Sequence, residues 1–318
     1  MRKVSLQAFT HSCGAFVLAL WLASPIAAAS ELADAVMTRD AQTARSLLAS
    51  GAPLDDRQLD GSTALHWAAY HDDIEIAEML LAAGADASAS NRTGATPMRL
   101  AAINGSAPMI ALLLEAGVDP NAPLTEHGDT ALMMAARTGV IDAISQLLDA
   151  GADLDAVETW GGTTALAWAI SEHHTDAVAL LLERGARVDI ASKIVTRGGR
   201  GAEGTAPADF DPSAEATSYA NGGLTPLHFA AREGQIEAAR MLLAAGADID
   251  AIAADGKHAL SLAIYNGHYD LASLLVASGA DVNLADAEGF PPLFWAVDRR
   301  NMEWNPGFPW VQTADPMP

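Results

Sequence analysis

Apolar and polar positions along this chain recur on a beat of about 33 residues, and one unit shows what is repeated. Residues 60–86, DGSTALHWAAYHDDIEIAEMLLAAGAD, read as a turn, two short helices and a stop. The glycine that opens the unit returns at Gly61, Gly94, Gly128, Gly162, Gly223, Gly256 and Gly289, in steps of 33, 34, 34, 61, 33 and 33 residues, the 61 being one period plus 28 inserted residues. A second glycine keeps the same beat at Gly51, Gly84, Gly117, Gly151, Gly185, Gly246 and Gly279. Two markers in register over most of the chain predict a stacked-repeat architecture.

The chemistry inside the unit supports that prediction. Thr63, Thr96, Thr130, Thr164 and Thr225 stand where a helix N-cap is wanted, and Pro97 and Pro226 follow at the first helical position, where a missing N–H costs nothing. Seven or eight residues containing Leu and Ala-Ala form the first helix. A segment of Asp-Ile-Glu-Ile type starts the second. Its Leu pair (Leu80/Leu81, Leu113/Leu114, Leu147/Leu148, Leu181/Leu182, Leu242/Leu243, Leu274/Leu275) supplies the apolar face before glycine ends it. Helices this short are marginal alone, so each persists only by burying its apolar stripe against the next unit. Stacking is obligatory.

The segment GLTPLHFAAREGQIE at 223–237, followed by LLAAGADID at 242–250, resembles an ankyrin repeat. The resemblance spans residues 31–297 and implies an all-α ankyrin-repeat solenoid of paired antiparallel short helices with β-turn fingers. Six repeats carry both helices, flanked by a degenerate N-terminal cap and an incomplete C-terminal repeat. In chain order we expect a signal peptide at 1–29, a capping repeat at 30–58 and repeats one to four at 59–191. A flexible Gly/Ala/Pro/acidic insertion at 192–220, repeats five and six at 221–284, and an incomplete repeat with a Pro/Trp-rich tail at 285–318 complete the chain. Glu31, Asp34, Arg39 and Asp40 make the outer face of the cap polar, as a terminal repeat requires. Pro108 is tolerable only near the first turn of its helix.

Composition adds an address. Arg2 and Lys3, an apolar run over residues 15–22 and the small residues Ala27, Ala28 and Ala29 before Ser30 read as a secretory signal peptide. The chain is therefore expected to be exported, to a periplasm or another extracellular space, with no stable membrane insertion once the signal is cleaved. Cys13, the one cysteine, would leave with it, and with it any disulfide, thiolate metal site or thiol nucleophile. Losing Arg2 and Lys3 moves the net charge from −22 to −24. So acidic a surface repels phosphate backbones and anionic membranes, so no nucleic-acid partner is expected and a basic protein fits better.

Catalytic, cofactor and metal residues are all assigned as none. His66 and His228 follow the Thr-x-Leu-His pattern, whose imidazole in ankyrin-like units bonds the backbone near the turn. The equivalent positions Arg99, Met133, Ala167, Ser261 and Phe294 make no histidine ladder. His173–His174 and His66–His71 lack the i, i+4 spacing of a helical zinc site. The recurrent aspartates lie a whole repeat apart, too far for a calcium loop. Asp209 and Asp211 in the insertion lack the glycine and terminal glutamate of one. No hydrolase, zincin, phosphate-loop or dinucleotide motif is present.

What remains is surface. The resemblance implies that turn tips and the exposed side of the first helix touch partners. Here those positions hold Leu59, Asp60, Tyr70, His71, Arg92, His127, Arg137, Trp160, Arg232, Lys257 and Tyr265. Trp67, Trp168 and Phe229 share one helical position and are assigned to packing between repeats. The expected function is a monomeric, non-catalytic module gripping a protein. Two alternatives stay open: the regulatory or substrate-binding part of an enzyme whose catalytic segment lies in the insertion or beyond Pro318, and a structural spacer.

Overall fold

The computed structural model describes residues 30–197 and 219–303. The expected signal peptide, the middle of the insertion with Asp209 and Asp211, and the tail from Trp304 lie outside the described residues. Among the described residues seven helix pairs follow one another, beginning with α1 (Glu31–Met37) with α2 (Ala41–Ala49), α3 (Ala64–His71) with α4 (Ile74–Ala82), α5 (Pro97–Asn104) with α6 (Ala107–Glu115), and α7 (Ala131–Thr138) with α8 (Ile141–Asp149). Then come α9 (Ala165–Ser171) with α10 (Thr175–Glu183), the strands β1 (Val195–Arg197) and β2 (Tyr219–Asn221), α11 (Pro226–Glu233) with α12 (Ile236–Ala244), α13 (Ala259–Tyr265) with α14 (Tyr269–Ala277), and a lone α15 (Pro292–Glu303).

Each inner helix packs on the inner helix of the next unit and each outer helix on the next outer helix, so the molecule is a two-layered helical row. The close approach of the inner helices rests on alanine. Ala68/Ala69, Ala101/Ala102, Ala135/Ala136 and Ala230/Ala231 are completely buried. The outer layer is anchored by Leu80, Leu113, Leu147, Leu181, Leu242 and Leu275, also completely buried. Each contributes about 1.5–3 kcal/mol by leaving water. One partner of each leucine pair does this work while the other packs at the margin. In the last repeat the register places Leu275 with Val276, not Leu274, in the equivalent pair.

Local signals act where the sequence places them. Thr63, Thr96, Thr130, Thr164 and Thr225 are the N-caps of α3, α5, α7, α9 and α11. Pro108 sits in the first turn of α6, capped by Ser106. His258 takes the cap position of α13, where the other repeats have threonine.

The insertion, expected to be flexible throughout, is zipped at its base. β1 and β2 pair antiparallel with Val195 opposite Asn221 and Arg197 opposite Tyr219. Ser192 N–H donates to Leu224 O and Gly223 N–H to Ser192 O, continuing the pairing down to the helices. The added chain thus lengthens one finger and leaves the stack unbroken. α9 packs on α11 across it, and the buried Gln235 amide donates to Ile170 O.

Candidate partner-binding surface

The turns between repeats project as fingers, joined edge to edge by main-chain bonds. Arg92 N–H donates to Asp60 O at 2.8 Å, Thr159 N–H to His127 O at 2.7 Å, Lys193 N–H to Gly161 O at 2.8 Å and Ala254 N–H to Gly222 O at 2.9 Å. Such pairing needs close approach. A Cβ on Gly162, whose φ is +68°, would lie 2.5 Å from Lys193 N.

One finger is built around a buried acid. Glu158 is only 3 % exposed. Its carboxylate accepts from Trp160 N–H at 2.6 Å, Gly161 N–H at 2.9 Å, Thr163 N–H at 2.8 Å and the Thr163 hydroxyl at 2.6 Å. Burial pushes its pKa up, but the bonds from Thr163, Gly161 and Trp160 together outweigh burial and hold it below the usual carboxylate value. The turn so gripped carries Trp160, 74 % exposed, at its tip. Ile194 and Val195, also exposed, stand on the neighbouring finger.

Of the other predicted contact residues, Leu59 is 76 % exposed, and Arg92 and His127 are exposed on their fingers. Asp60 is exposed as well, but its carboxylate is engaged within its own finger. Its carboxylate accepts from the backbone and hydroxyl of Ser62, and the backbone bond is the chief reason its pKa is lowered. Five predicted residues lie on the inner helices. Tyr70, 55 % exposed, meets Trp67 edge-on at 5.6 Å, and His71 stacks on the same indole. The His71 ring is also a structural tie, since its Nε2 donates to Met37 O of the preceding repeat. His174 and His268 make the same backward bond, to Arg137 O and Arg232 O.

Arg137 lies 5.0 Å over the ring of Trp168 and pairs with Glu172 at 3.2 Å. Arg232 lies over Phe229 at 4.9 Å and pairs with Glu233. Lys257 lies within 6 Å of both Tyr265 and Trp295 and pairs with Asp255, so the two predicted residues Lys257 and Tyr265 join in one aromatic cluster. The predicted residues therefore form a band along the finger tips and inner helices, in several local groups.

Trp67 and Trp168, assigned to packing between repeats, pack partly buried against the core and meet Tyr70 and Arg137 on their open sides. Phe229 is buried, with Arg232 over it. Ile103, 51 % exposed, was missed. It lies seven residues after its N-cap, as do Tyr70, Arg137 and Arg232, so counting from the threonines would have found it.

His66 and His228 are inside the structure. His66 Nδ1 accepts from Thr63 N–H and hydroxyl while Nε2 donates to Ala95 O. Burial lowers the pKa of both rings. Each Nδ1 accepts from the N–H of its capping threonine, so a proton there would set two donors face to face. Among the described residues no group of three or more His, Cys, Asp or Glu could hold a metal ion, and no described helix is long and apolar enough to cross a membrane.

This geometry is that of a stacked-repeat scaffold presenting fingers and a helical face. Family models described as ankyrin repeats match residues 32–124 and 122–192, and again 227–276 and 260–303. The chain belongs to the ankyrin-repeat family. Among solved structures it is similar to the human ASB11 ankyrin repeat domain, at 25 % identity over 79 % of this chain and 99 % of that one, with a TM-score of 0.62. It is also similar to the ankyrin repeat domain of Bcl-3, a unique member of the IkappaB protein family, at 30 % identity over 77 % and 98 % with a TM-score of 0.60. No curated protein matches the chain.

Proposed function

We propose that this chain is a non-catalytic module that binds a protein through the inner-helix face, the concave side of an ankyrin stack, and the finger tips. The observation that carries the reading is Trp160. A buried carboxylate gives up water to hold a turn whose tip is a tryptophan left almost wholly in solvent. Folding gains little from that indole. Tryptophan, tyrosine and arginine dominate binding energy at interfaces, and all three occur along this band. With a net charge of −22, the surface favours a basic partner and disfavours nucleic acid.

The test uses a photo-crosslinking residue placed at position 160, at position 70, or at Glu78 on the exposed side of α4. Adducts of one protein from 160 and 70, absent from 78, are expected. The captured protein should then bind a Trp160→Ala, Tyr70→Ala double variant at least 30-fold more weakly, as expected for a lost hot spot of about 2 kcal/mol. The same adducts from all three positions, or unchanged affinity, refute the reading.

The same reading places the module outside the cytoplasm as a monomer. Support comes from Ser30, the residue after the expected cleavage site, whose buried hydroxyl caps α1. Mass spectrometry of the N-terminus from the secreted fraction should find Ser30 first. A cytoplasmic protein retaining Met1 would overturn it.

A further inference from the structure

Four of the inner helices carry an aromatic residue at their fourth position: Trp67 in α3, Trp168 in α9, Phe229 in α11 and Trp295 in α15. Three of these rings are met by a cation of the chain itself, and each cation is paired with a carboxylate. Arg137 lies 5.0 Å over Trp168 and pairs with Glu172, and Arg232 lies 4.9 Å over Phe229 and pairs with Glu233. Lys257 lies 5.7 Å from the ring of Trp295 and pairs with Asp255. The negative face of an aromatic ring draws a cation, and the carboxylate balances the charge so held.

The first ring of the row has the carboxylate without the cation. Among the described residues no Lys or Arg lies over Trp67, Tyr70 or His71. The residue of α1 that corresponds to Arg137 is Met37, and the residue of α3 that corresponds to Arg232 is Tyr70. Both positions from which an arginine reaches a ring elsewhere therefore hold uncharged side chains. The Trp67 indole N–H donates to Gln58 at 2.6 Å, and the Gln58 amide donates to the carboxylate of Asp34, which has no ion-pair partner among the described residues. That chain of bonds ties a negative charge to the indole and makes its ring richer in electrons. The rings of Trp67 and His71 lie at 29° to each other, and Tyr70 stands across them at 83° and 70°. Because Tyr70 is exposed, the three rings form a corner that opens to water.

We propose that the Trp67–Tyr70–His71 corner, backed by Asp34, takes an arginine or lysine side chain of the partner, which brings from outside the cation that the other three rings receive from within. The inference rests on the reading that this face binds a protein, and it gives the basic partner a place to dock. The probe is N-acetylarginine amide, with N-acetylcitrulline amide as its uncharged isostere, titrated into the isotope-labelled full chain at constant ionic strength and about pH 8, above the histidine range. The indole N–H signals of Trp67 and Trp168 are the readout. The arginine derivative should shift Trp67 saturably and leave Trp168 in place, while the citrulline derivative should bind about tenfold more weakly. Tyr70→Ala should weaken the response at Trp67 about threefold. Arg137→Ala should uncover Trp168, which the same probe then shifts. Unchanged backbone signals in α11 to α14 show that the variants stay folded. A Trp67 that ignores the arginine derivative up to about 100 mM, that answers equally to citrulline, or that answers no more than wild-type Trp168 overturns the proposal. Crosslinked adducts from positions 160 and 70 beside an unresponsive Trp67 would sink this inference and leave the protein-binding reading standing. A responsive Trp67 with no adducts would sink that reading, and the partner's side chain with it, since the corner would then hold only a free cation.

Discussion

Changing Glu158 to Gln removes one acceptor and installs a donor inside a ring of donors. The carboxylate now takes Trp160 N–H and Gly161 N–H on Oε2, and Thr163 N–H and hydroxyl on Oε1. With the new amide at Oε2, its hydrogens face those of Trp160 and Gly161. With the amide flipped, they face Thr163 N–H, and only the hydroxyl can rotate to accept. The first orientation loses two bonds and the second loses one, and in both the bonds that remain no longer have the charged acceptor that makes each worth about 1.5–3 kcal/mol. The tip is exposed, so the turn can open to water without unmaking the helices. The global cost is therefore held to about 1–2 kcal/mol, while the local cost is the full 3 kcal/mol or more.

The assay is amide exchange at Trp160, Gly161 and Thr163, with the amides of α9 as internal reference. About 100-fold faster exchange in the finger is expected, because 1.4 kcal/mol is a factor of ten. Acid should mimic the substitution. A carboxyl whose folded pKa is depressed contributes stability above its unfolded value and loses it as the pH falls through the folded one, so the finger should loosen below about pH 4.5. Finger exchange within threefold of wild type in the Gln variant, at equal global stability, would refute the idea that this carboxylate holds Trp160 in place.

Three further outcomes are expected. His66 and His228 are held neutral in the fold while the unfolded chain takes up protons below about pH 6.5, so stability should fall as the pH drops through that value toward the lowered folded pKa. Urea midpoints from pH 7.5 to 5.5 should slope less in a His66→Gln, His228→Gln variant, and an unchanged slope counts against the assignment. Leu147→Ala, at a completely buried site, should cost about 2–5 kcal/mol in urea unfolding. Leu148→Ala, at the margin of the core, should cost less than half as much, and equal costs would show that the pair is not divided as described. Trp160→Ala alone should shift stability by no more than about 0.5 kcal/mol, so a larger loss would mean that the indole serves the fold after all.

The fold was legible because its signals are local and repeated. Thr63 and its counterparts, Pro97, Pro226 and the glycines at the turns each fix a conformation within a few residues, and the period multiplies every clue. The base of the insertion was not legible, because the pairing of Val195 with Asn221 spans a long loop and is templated by the finger bonds of Ser192 and Lys193. Glu158 read as one more acid before a turn. Its role follows from the fold of that turn, in which Trp160, Gly161 and Thr163 all aim N–H groups at one point. The half-burial of Trp67 and Trp168 escaped for a different reason. Register says which residues share a row, but how deeply a row sinks depends on the size of the side chains beside it.

The histidines show what register demands and what it leaves open. Thr63 with His66 and Thr225 with His228 make the same buried bond at the start of a helix, whereas His258 with Ser261 exchanges the two residue types and still bonds ring to hydroxyl at 3.0 Å. At such positions the geometry is specified and the residue is negotiable. The row seven residues after the caps is the reverse case. Tyr70, Ile103, Arg137 and Tyr265 stand exposed in this row, with Ser171 and Arg232 half-buried, and the fold asks for no particular side chain there. An exposed isoleucine is a mediocre helix former, and an exposed tyrosine is no better. Their presence in this row is a cost to the isolated helix, which Tyr70 offsets in part against Trp67 and His71 inside the stack, and which contact with the proposed partner would offset further.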